Sequence, residues 1–220
     1  MPSLAFRRVV DLSQEISHDM QMFPAYPPPT FVPWTTREAH GFLAEAMFLV
    51  SHTGTHVDAP LHCVPSGRAI HSYPVGRFVV PARLLDVRPQ RARGRVDAPT
   101  LRRALKGTPL GRGEAAILRT GWEAKRGTDA YLYANPGLTP DAARALASWG
   151  ASFAGVDTAN IDHPKASRLV AHEILLDAGV LVLENLANLG AIRADRFTLL
   201  ALPLRLRGST GSPIRAVALV

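Results

Sequence analysis

His52-Thr53-Gly54-Thr55-His56-Val57-Asp58-Ala59-Pro60-Leu61-His62 gathers three imidazoles and one carboxylate in a single short stretch. Imidazole nitrogen and carboxylate oxygen are the donors that a divalent transition ion takes as ligands. His52 and His56 stand four residues apart, the spacing of a helix face. Yet Thr53, Gly54, Thr55 and Val57 are poor helix formers, and Pro60 drives Ala59 toward extended geometry. The stretch therefore reads as a strand running in from Phe48, then a tight irregular loop that wraps its side chains around one point. Ordering such a loop costs conformational entropy, and a rigid chelate is a reason to order it. A plain His-rich surface loop is the alternative.

The bulk composition bounds what surrounds that stretch. The chain has 220 residues, 47% hydrophobic and 20% charged, which is ordinary globular usage and reads as one domain over residues 1–220. No apolar run is long enough to span a bilayer, and Met1 to Arg8 lacks the apolar core and cleavage site of a signal peptide. Cys63 is the only cysteine, which excludes an internal disulfide and suits a reducing cytoplasm. As the neighbour of His62 it invites a nucleophilic role, but a small buried hydrophobe is the better reading. The net charge of +7 raises nucleic acid or another anionic partner as a different class of function. The basic residues are scattered, however, and the local run Arg88, Arg91, Arg93 and Arg95 reads as a solvated loop.

Along the chain, Ala5 to Leu12 reads as an opening strand at an edge. Met20 to Trp34 carries Pro24, Pro27, Pro28, Pro29 and Pro33 among Met22, Phe23, Tyr26, Phe31 and Trp34. Proline lacks a ladder donor and fixes φ, so this is neither helix nor inner strand. Its aromatics read first as a cover for the core, and otherwise as one wall of a flat substrate's pocket. Phe42 to Ser51 is a strand, and Phe78 to Val87 is another that Pro81 confines to an edge or a bulge. Asp97 caps a helix to Leu105, and Thr139-Pro140 opens a second that Gly150 stops. Ala115 to Thr120 and Ser152 to Val156 are buried strands. Leu169 to Asp177 is a third helix ended by Gly179, and Val180 to Leu183 is a strand closing on Glu184. Asn185 to Leu189 reads as a short helical turn, and Phe197 to Leu204 and Ile214 to Val220 as closing strands joined by a turn at Gly208 to Ser212. Strands that alternate with helices but also come in runs predict an α/β fold with a mixed sheet and outer helices. No Gly-rich phosphate loop is present.

One loop leaves a metal short of charge and of ligands. Glu184, at the end of an apolar strand, is costly if buried alone, and a metal or an arginine removes that cost. His172, on the helix just before, reads by itself as a core or surface histidine, but the two together form a second candidate group.

The first motif closely resembles the signature of the metal-dependent cyclase-like hydrolases, which include bacterial kynurenine formamidases and isatin hydrolases. The resemblance continues through Arg119-Thr120-Gly121-Trp122, Gly155-Val156-Asp157-Thr158, Ile161-Asp162, His172 and Glu184-Asn185-Leu186. It ends in Gly211-Ser212-Pro213 and Arg215-Ala216-Val217, nearly the whole chain in order.

That resemblance implies a swivelling β/β/α fold and a homodimer or homotetramer. It implies zinc, two ions per subunit, with manganese as the alternative. His52, His56 and Asp58 would bind the first ion. Asp58, His172 and Glu184 would bind the second, with Glu184 also reaching the first. His62 would be the catalytic proton donor and acceptor. The activity implied is hydrolysis of an amide of a small aromatic molecule, N-formylkynurenine first and an isatin-type lactam or ester second, by water activated at neutral pH. Where kynurenine formamidases carry a tryptophan, this chain has Met22-Phe23-Pro24, so Phe23 is the candidate to stack on an aryl ring. No nucleic acid, no membrane and a cytoplasmic location complete the expectation.

Overall fold

The computed structural model describes residues 6–220. The first residue of the opening strand expected from Ala5, and most of the Met1 to Arg8 segment, lie outside them. Among the described residues, nine strands form one mixed sheet. In chain order they are β1 (Val9–Asp11), β4 (His56–Asp58), β5 (Val79–Asp86), β7 (Ala115–Arg119), β9 (Phe153–Val156), β10 (Leu181–Glu184), β11 (Arg196–Leu200), β12 (Gly211–Pro213) and β13 (Val217–Leu219). Across the sheet the order is β1-β13-β11-β5-β7-β9-β10-β4-β12. The neighbours β5, β7, β9 and β10 run parallel, and the flanking pairs are antiparallel. Two small pairs stand apart: β2 (Thr30–Thr35) with β3 (Ala44–Phe48), and β6 (Arg95–Val96) with β8 (Gly137–Leu138). The helices are α1 (Arg37–His40), α2 (Ala98–Ala104), α3 (Asp129–Tyr133), α4 (Pro140–Ser148) and α5 (Val170–Asp177).

Strand alternation sends successive side chains to opposite faces and creates two cores. One face meets the helices, where Leu85, Leu118, Ala154 and Val182 pack with Leu101, Leu146 and Leu175. The other face closes on itself, because Val10 from one end of the sheet shares a cluster with Val57 from the other, along with Ile117, Leu183 and Leu199. A sheet curled until its ends share a core supplies two β layers under one of helices, the expected β/β/α arrangement.

The helix boundaries follow their local chemistry. Asp97 accepts from the Thr100 amide at 2.9 Å, and Pro99 sits in the first turn. Such a cap contributes about 1 kcal/mol. The buried Asp157 ties the ends of β7 and β9 together by accepting from the Thr120 amide at 3.0 Å and the Gly121 amide at 2.8 Å.

Four local readings are corrected. Pro81 lies inside β5, a central strand, not an edge. Pairing with β7 begins only at Ala82, so at Pro81 the strand has one neighbour, Thr198 of β11. The loop expected over the first motif is partly strand, since β4 is paired on both sides. The Gly208 to Ser212 turn likewise gives way to β12, which pairs with β4. Asn185 to Leu189 is not a helical turn: Asn185 has φ +57° and Asn188 has φ +58°, and a 3-10 turn forms only at Leu189–Ala191.

Candidate metal centre and pocket

The register of β4 builds the site. Antiparallel pairing sets His56 opposite Glu184 and Asp58 opposite Val182. His56 and Asp58, two apart, share a face, and Val57 points the other way into the self-closed core. Val182 belongs to the core beneath the helices, so His56, Asp58 and Glu184 all face α5. That helix inserts His172, which is 2% exposed, from above.

The distances close the cluster. Asp58 Oδ1 lies 2.6 Å from His52 Nδ1 and 3.3 Å from His56 Nε2, and Asp58 Oδ2 lies 3.4 Å from His172 Nε2. Glu184 reaches His172 Nε2 at 3.1 Å and His56 Nε2 at 3.6 Å. Outer partners aim the rings. His56 Nδ1–H donates to the Gly54 carbonyl at 2.8 Å and His172 Nδ1–H to Asp162 Oδ2 at 2.7 Å, which turns both Nε2 atoms inward. His52 Nε2 meets the Thr210 hydroxyl at 2.9 Å. Two glycines permit this packing. Gly54 has φ +61°, and a Cβ at Gly211 would stand 2.9 Å from His52 Cε1 and 2.5 Å from the Val57 carbonyl oxygen.

Electrostatics make the five groups one unit. Burial alone would depress the His56 imidazole, but the carboxylates of Asp58 and Glu184 raise its pKa to about 9. Burial likewise opposes charge on His172, and Glu184, Asp162 and Asp58 together hold it well above the ordinary value. Burial would raise Asp58, yet His56, His172 and His52 keep it well below the usual carboxylate range. Two overlapping sets, His52–His56–Asp58 and Asp58–His172–Glu184, each offer ligand atoms within 4.8 Å of one another. Asp58 Oδ2 is buried without a hydrogen-bond partner. A fully buried carboxylate with an unshared oxygen facing imidazoles is the chemistry a divalent cation satisfies. The donor set fits a metal.

His62 stands beside this unit on the 3-10 turn Pro60–His62. Its ring centroid is 4.1 Å from that of His52 and 5.8 Å from that of His172. Burial, with the positive fields of His52 and His172, lowers its pKa to about 4, so the ring is neutral at pH 7. Its side chain makes no hydrogen bond among the described residues. Cys63 is half-buried, and burial pushes its thiol up to about 11, which leaves it a protonated thiol packed against the helix-side core.

A pocket opens over the cluster, walled by Met22, Phe23, Tyr26, Leu132 and Asn185. Tyr26 lies nearly parallel to the His52 ring at 6.1 Å, and Phe23 stands 5.8 Å from Tyr26. The proline-rich loop thus lines the pocket instead of covering the core. Trp34, on the β2–β3 hairpin, is 74% exposed. His18, His40, His71 and His163 do not line this pocket. Tyr26 fits the second reading of the loop's aromatics, as a pocket wall, whereas sequence pattern alone does not single out Asp162 or Thr210. Asp162 lies in a quoted motif, but nothing in its spacing ties it to a ring ten residues on.

The profile of the Cyclase family matches residues 10–163. A kynurenine formamidase from Salinibacter ruber is 32% identical over 212 residues, covering 95% of this chain and 96% of the relative. Isatin hydrolase A from Labrenzia aggregata superposes with a TM-score of 0.87 at 26% identity, covering 97% of this chain and 93% of that one. A solved structure described as a potential metal-dependent hydrolase with cyclase activity gives a TM-score of 0.79 at 25% identity, covering 96% of each chain. A family match over residues 10–163 and a curated relative 32% identical and matched end to end, on a curled mixed sheet that holds a buried imidazole–carboxylate cluster, mean that the chain belongs to the Cyclase family of hydrolases.

Proposed function

We propose that the protein is a metal-dependent amidohydrolase that cleaves N-formylkynurenine, or a closely related aryl formamide, to the free arylamine and formate. One observation carries the reading: Asp58 is shared by two buried ligand sets directly beneath an aromatic-walled pocket. End-to-end identity of 32% to a kynurenine formamidase supports the substrate class.

In this reading His52, His56 and Asp58 hold one zinc ion and Asp58, His172 and Glu184 a second, with manganese the alternative for the same donors. When bound, the ions supply Lewis-acid polarisation of the substrate carbonyl and acidify water at neutral pH. His62, neutral at pH 7, takes the proton that the attacking water loses and returns it to the leaving nitrogen as the C–N bond breaks. An aniline leaves far more readily protonated than as its anion. Phe23 and Tyr26 stack on the aryl ring and fix its approach.

A homodimer or homotetramer belongs to the same proposal. The β2–β3 hairpin exposes Val32, Trp34, Phe42, Leu43, Met47 and Phe48 at 49–74%, on the order of several hundred Å² of apolar surface, more than a monomer ordinarily leaves in water. Among the described residues no helix is long and apolar enough to cross a membrane. Cytoplasmic residence is part of the proposal and rests on the single cysteine.

The second reading, hydrolysis of an isatin-type lactam, is favoured by the TM-score of 0.87 to isatin hydrolase A. The purified protein assayed on N-formylkynurenine and on isatin, before and after chelation, separates the two. Turnover of neither, or turnover indifferent to chelator, overturns the proposal.

A further inference from the structure

Asn185 follows Glu184 at the end of β10 in a left-handed backbone conformation, φ +57°. A non-glycine residue persists there only when its surroundings over-determine it. They do so here from three sides. The Asn185 amide donates to the Thr158 carbonyl at 2.9 Å. Its own carbonyl accepts from the Thr55 hydroxyl at 2.7 Å, and that hydroxyl in turn accepts from the Gln14 amide at 2.8 Å. Its side-chain oxygen accepts from the hydroxyl of Tyr131 at 2.9 Å.

That last contact also decides which way the amide faces. The Tyr131 hydroxyl accepts from Gln14 Nε2 at 3.0 Å, so its single proton goes to Asn185 Oδ1. The opposite edge of the amide, Nδ2, makes no hydrogen bond among the described residues. It is not among the buried polar atoms left without a partner, and Asn185 lines the pocket with His52, His56, His62, His172 and Glu184. The fold therefore holds a strained residue rigidly, fixes its amide plane through a fully buried tyrosine, and leaves two N–H bonds open toward the pocket.

A neutral, pre-oriented N–H donor beside two carboxylates has one evident use, an oxygen that gains negative charge during the reaction. We propose that Asn185 Nδ2 donates a hydrogen bond to the acyl oxygen of the scissile amide as the tetrahedral centre forms, with Tyr131 as the residue that positions it. This rests on the hydrolase reading above and adds a catalytic donor supplied by the protein itself.

The test is Asn185→Gly beside Tyr131→Phe, on metal-loaded protein, with metal content and thermal unfolding measured for each. Glycine suits the positive φ, so Asn185→Gly should unfold no earlier than wild type and keep its metal. Its kcat and kcat/KM should both fall by about 100-fold with KM little changed, the signature of a donor used in the transition state. Tyr131→Phe should lose rate in the same sense but by less. Wild-type rates in Asn185→Gly overturn the proposal, as does a rise in KM at constant kcat. Loss of metal from Asn185→Gly also overturns it, because the residue then acts by holding Glu184. Wild-type protein with no chelator-sensitive turnover removes the hydrolase reading itself, whereas an active wild type and an equally active glycine variant removes only the role of Asn185.

Discussion

Metal affinity should climb steeply with pH well beyond the range in which an ordinary histidine site levels off. His56 titrates at about 9 because the Asp58 and Glu184 carboxylates outweigh the burial of its ring. A rise from 6.5 to about 9 represents about 3 kcal/mol of preference for the charged ring. A metal takes the neutral imidazole, so binding expels that proton. At pH 7 the competition from His56 alone weakens apparent affinity by about 100-fold relative to the fully deprotonated site, about 50-fold relative to pH 9, with a slope approaching about one decade per pH unit below about pH 8. His172, also raised well above its ordinary value, steepens the slope.

Metal-free protein must show the opposite trend. Groups with higher pKa values folded than unfolded contribute stability that is fully present below pH 6.5 and is lost as pH rises toward about 9. His56 accounts for about 3 kcal/mol of that loss. His62, lowered to about 4, acts in the opposite sense only at the low end, where the unfolded ring takes up a proton that the folded ring refuses, and it is uncharged in both states once the pH is well above about 6.5. Chelator competition from pH 6 to 9 measures the affinity, and urea unfolding of metal-free protein measures the stability. An affinity that flattens above pH 7, together with an NMR titration of His56 near 6.5, would refute the account of the cluster.

Three further outcomes are expected. Asp58→Ala should strip metal and turnover together and cost the metal-free fold about 3 kcal/mol by leaving His56 and His172 charged and underpaired, whereas His62→Ala should retain metal and lose about 10²- to 10⁴-fold in kcat; equal metal loss in both variants by elemental analysis would make His62 a ligand. Asp162→Asn should lower metal affinity by about 10- to 100-fold, because Asp162 fixes the His172 ring from outside, and unchanged affinity would leave it only the bonds by which it accepts from the Ala171 and His172 amides in the first turn of α5, at 2.7 and 3.1 Å. Phe23→Ala should raise KM for an aryl substrate by about 3- to 10-fold with kcat preserved, as expected for lost ring stacking; a steady-state KM at the wild-type value would remove Phe23 from the substrate wall.

Much of the architecture was legible because the buried strands carry their burial in their composition. Ala115 to Thr120, Ser152 to Val156 and Val180 to Leu183 are apolar runs between caps and glycines, and they became three neighbouring strands. The misread segments are those whose strand character comes from their neighbours. β12 consists of glycine, serine and proline, with no apolar pattern to betray it, and it is a strand only because β4 lies alongside. β4 itself alternates His, Val and Asp, which reads as a polar loop until one knows that its polar face is the site. Asn185 reads as part of a helical turn because a left-handed asparagine leaves no periodic trace. The cluster residues could be named from donor chemistry and family resemblance. What aims them could not, since Asp162, Thr210 and Tyr131 are ordinary residues until the fold sets them beside a ring or an amide.

The same alternation explains how the chain tolerates so much buried charge without losing its register. A slip of β4 by one residue against β10 would turn Val57 toward α5 and drive His56 and Asp58 into the self-closed core. Asp58 and His56 would then face apolar side chains such as Leu183 and Ile117, cut off from His172 and Glu184, at a cost of several kcal/mol per uncompensated charge. In the native register the same two residues meet Glu184 and His172, and Val57 fills the core between β10 and β12. The polar side chains that make the site therefore also select the pairing that assembles it, so substitutions that neutralise Asp58 should loosen β4 as well as empty the centre.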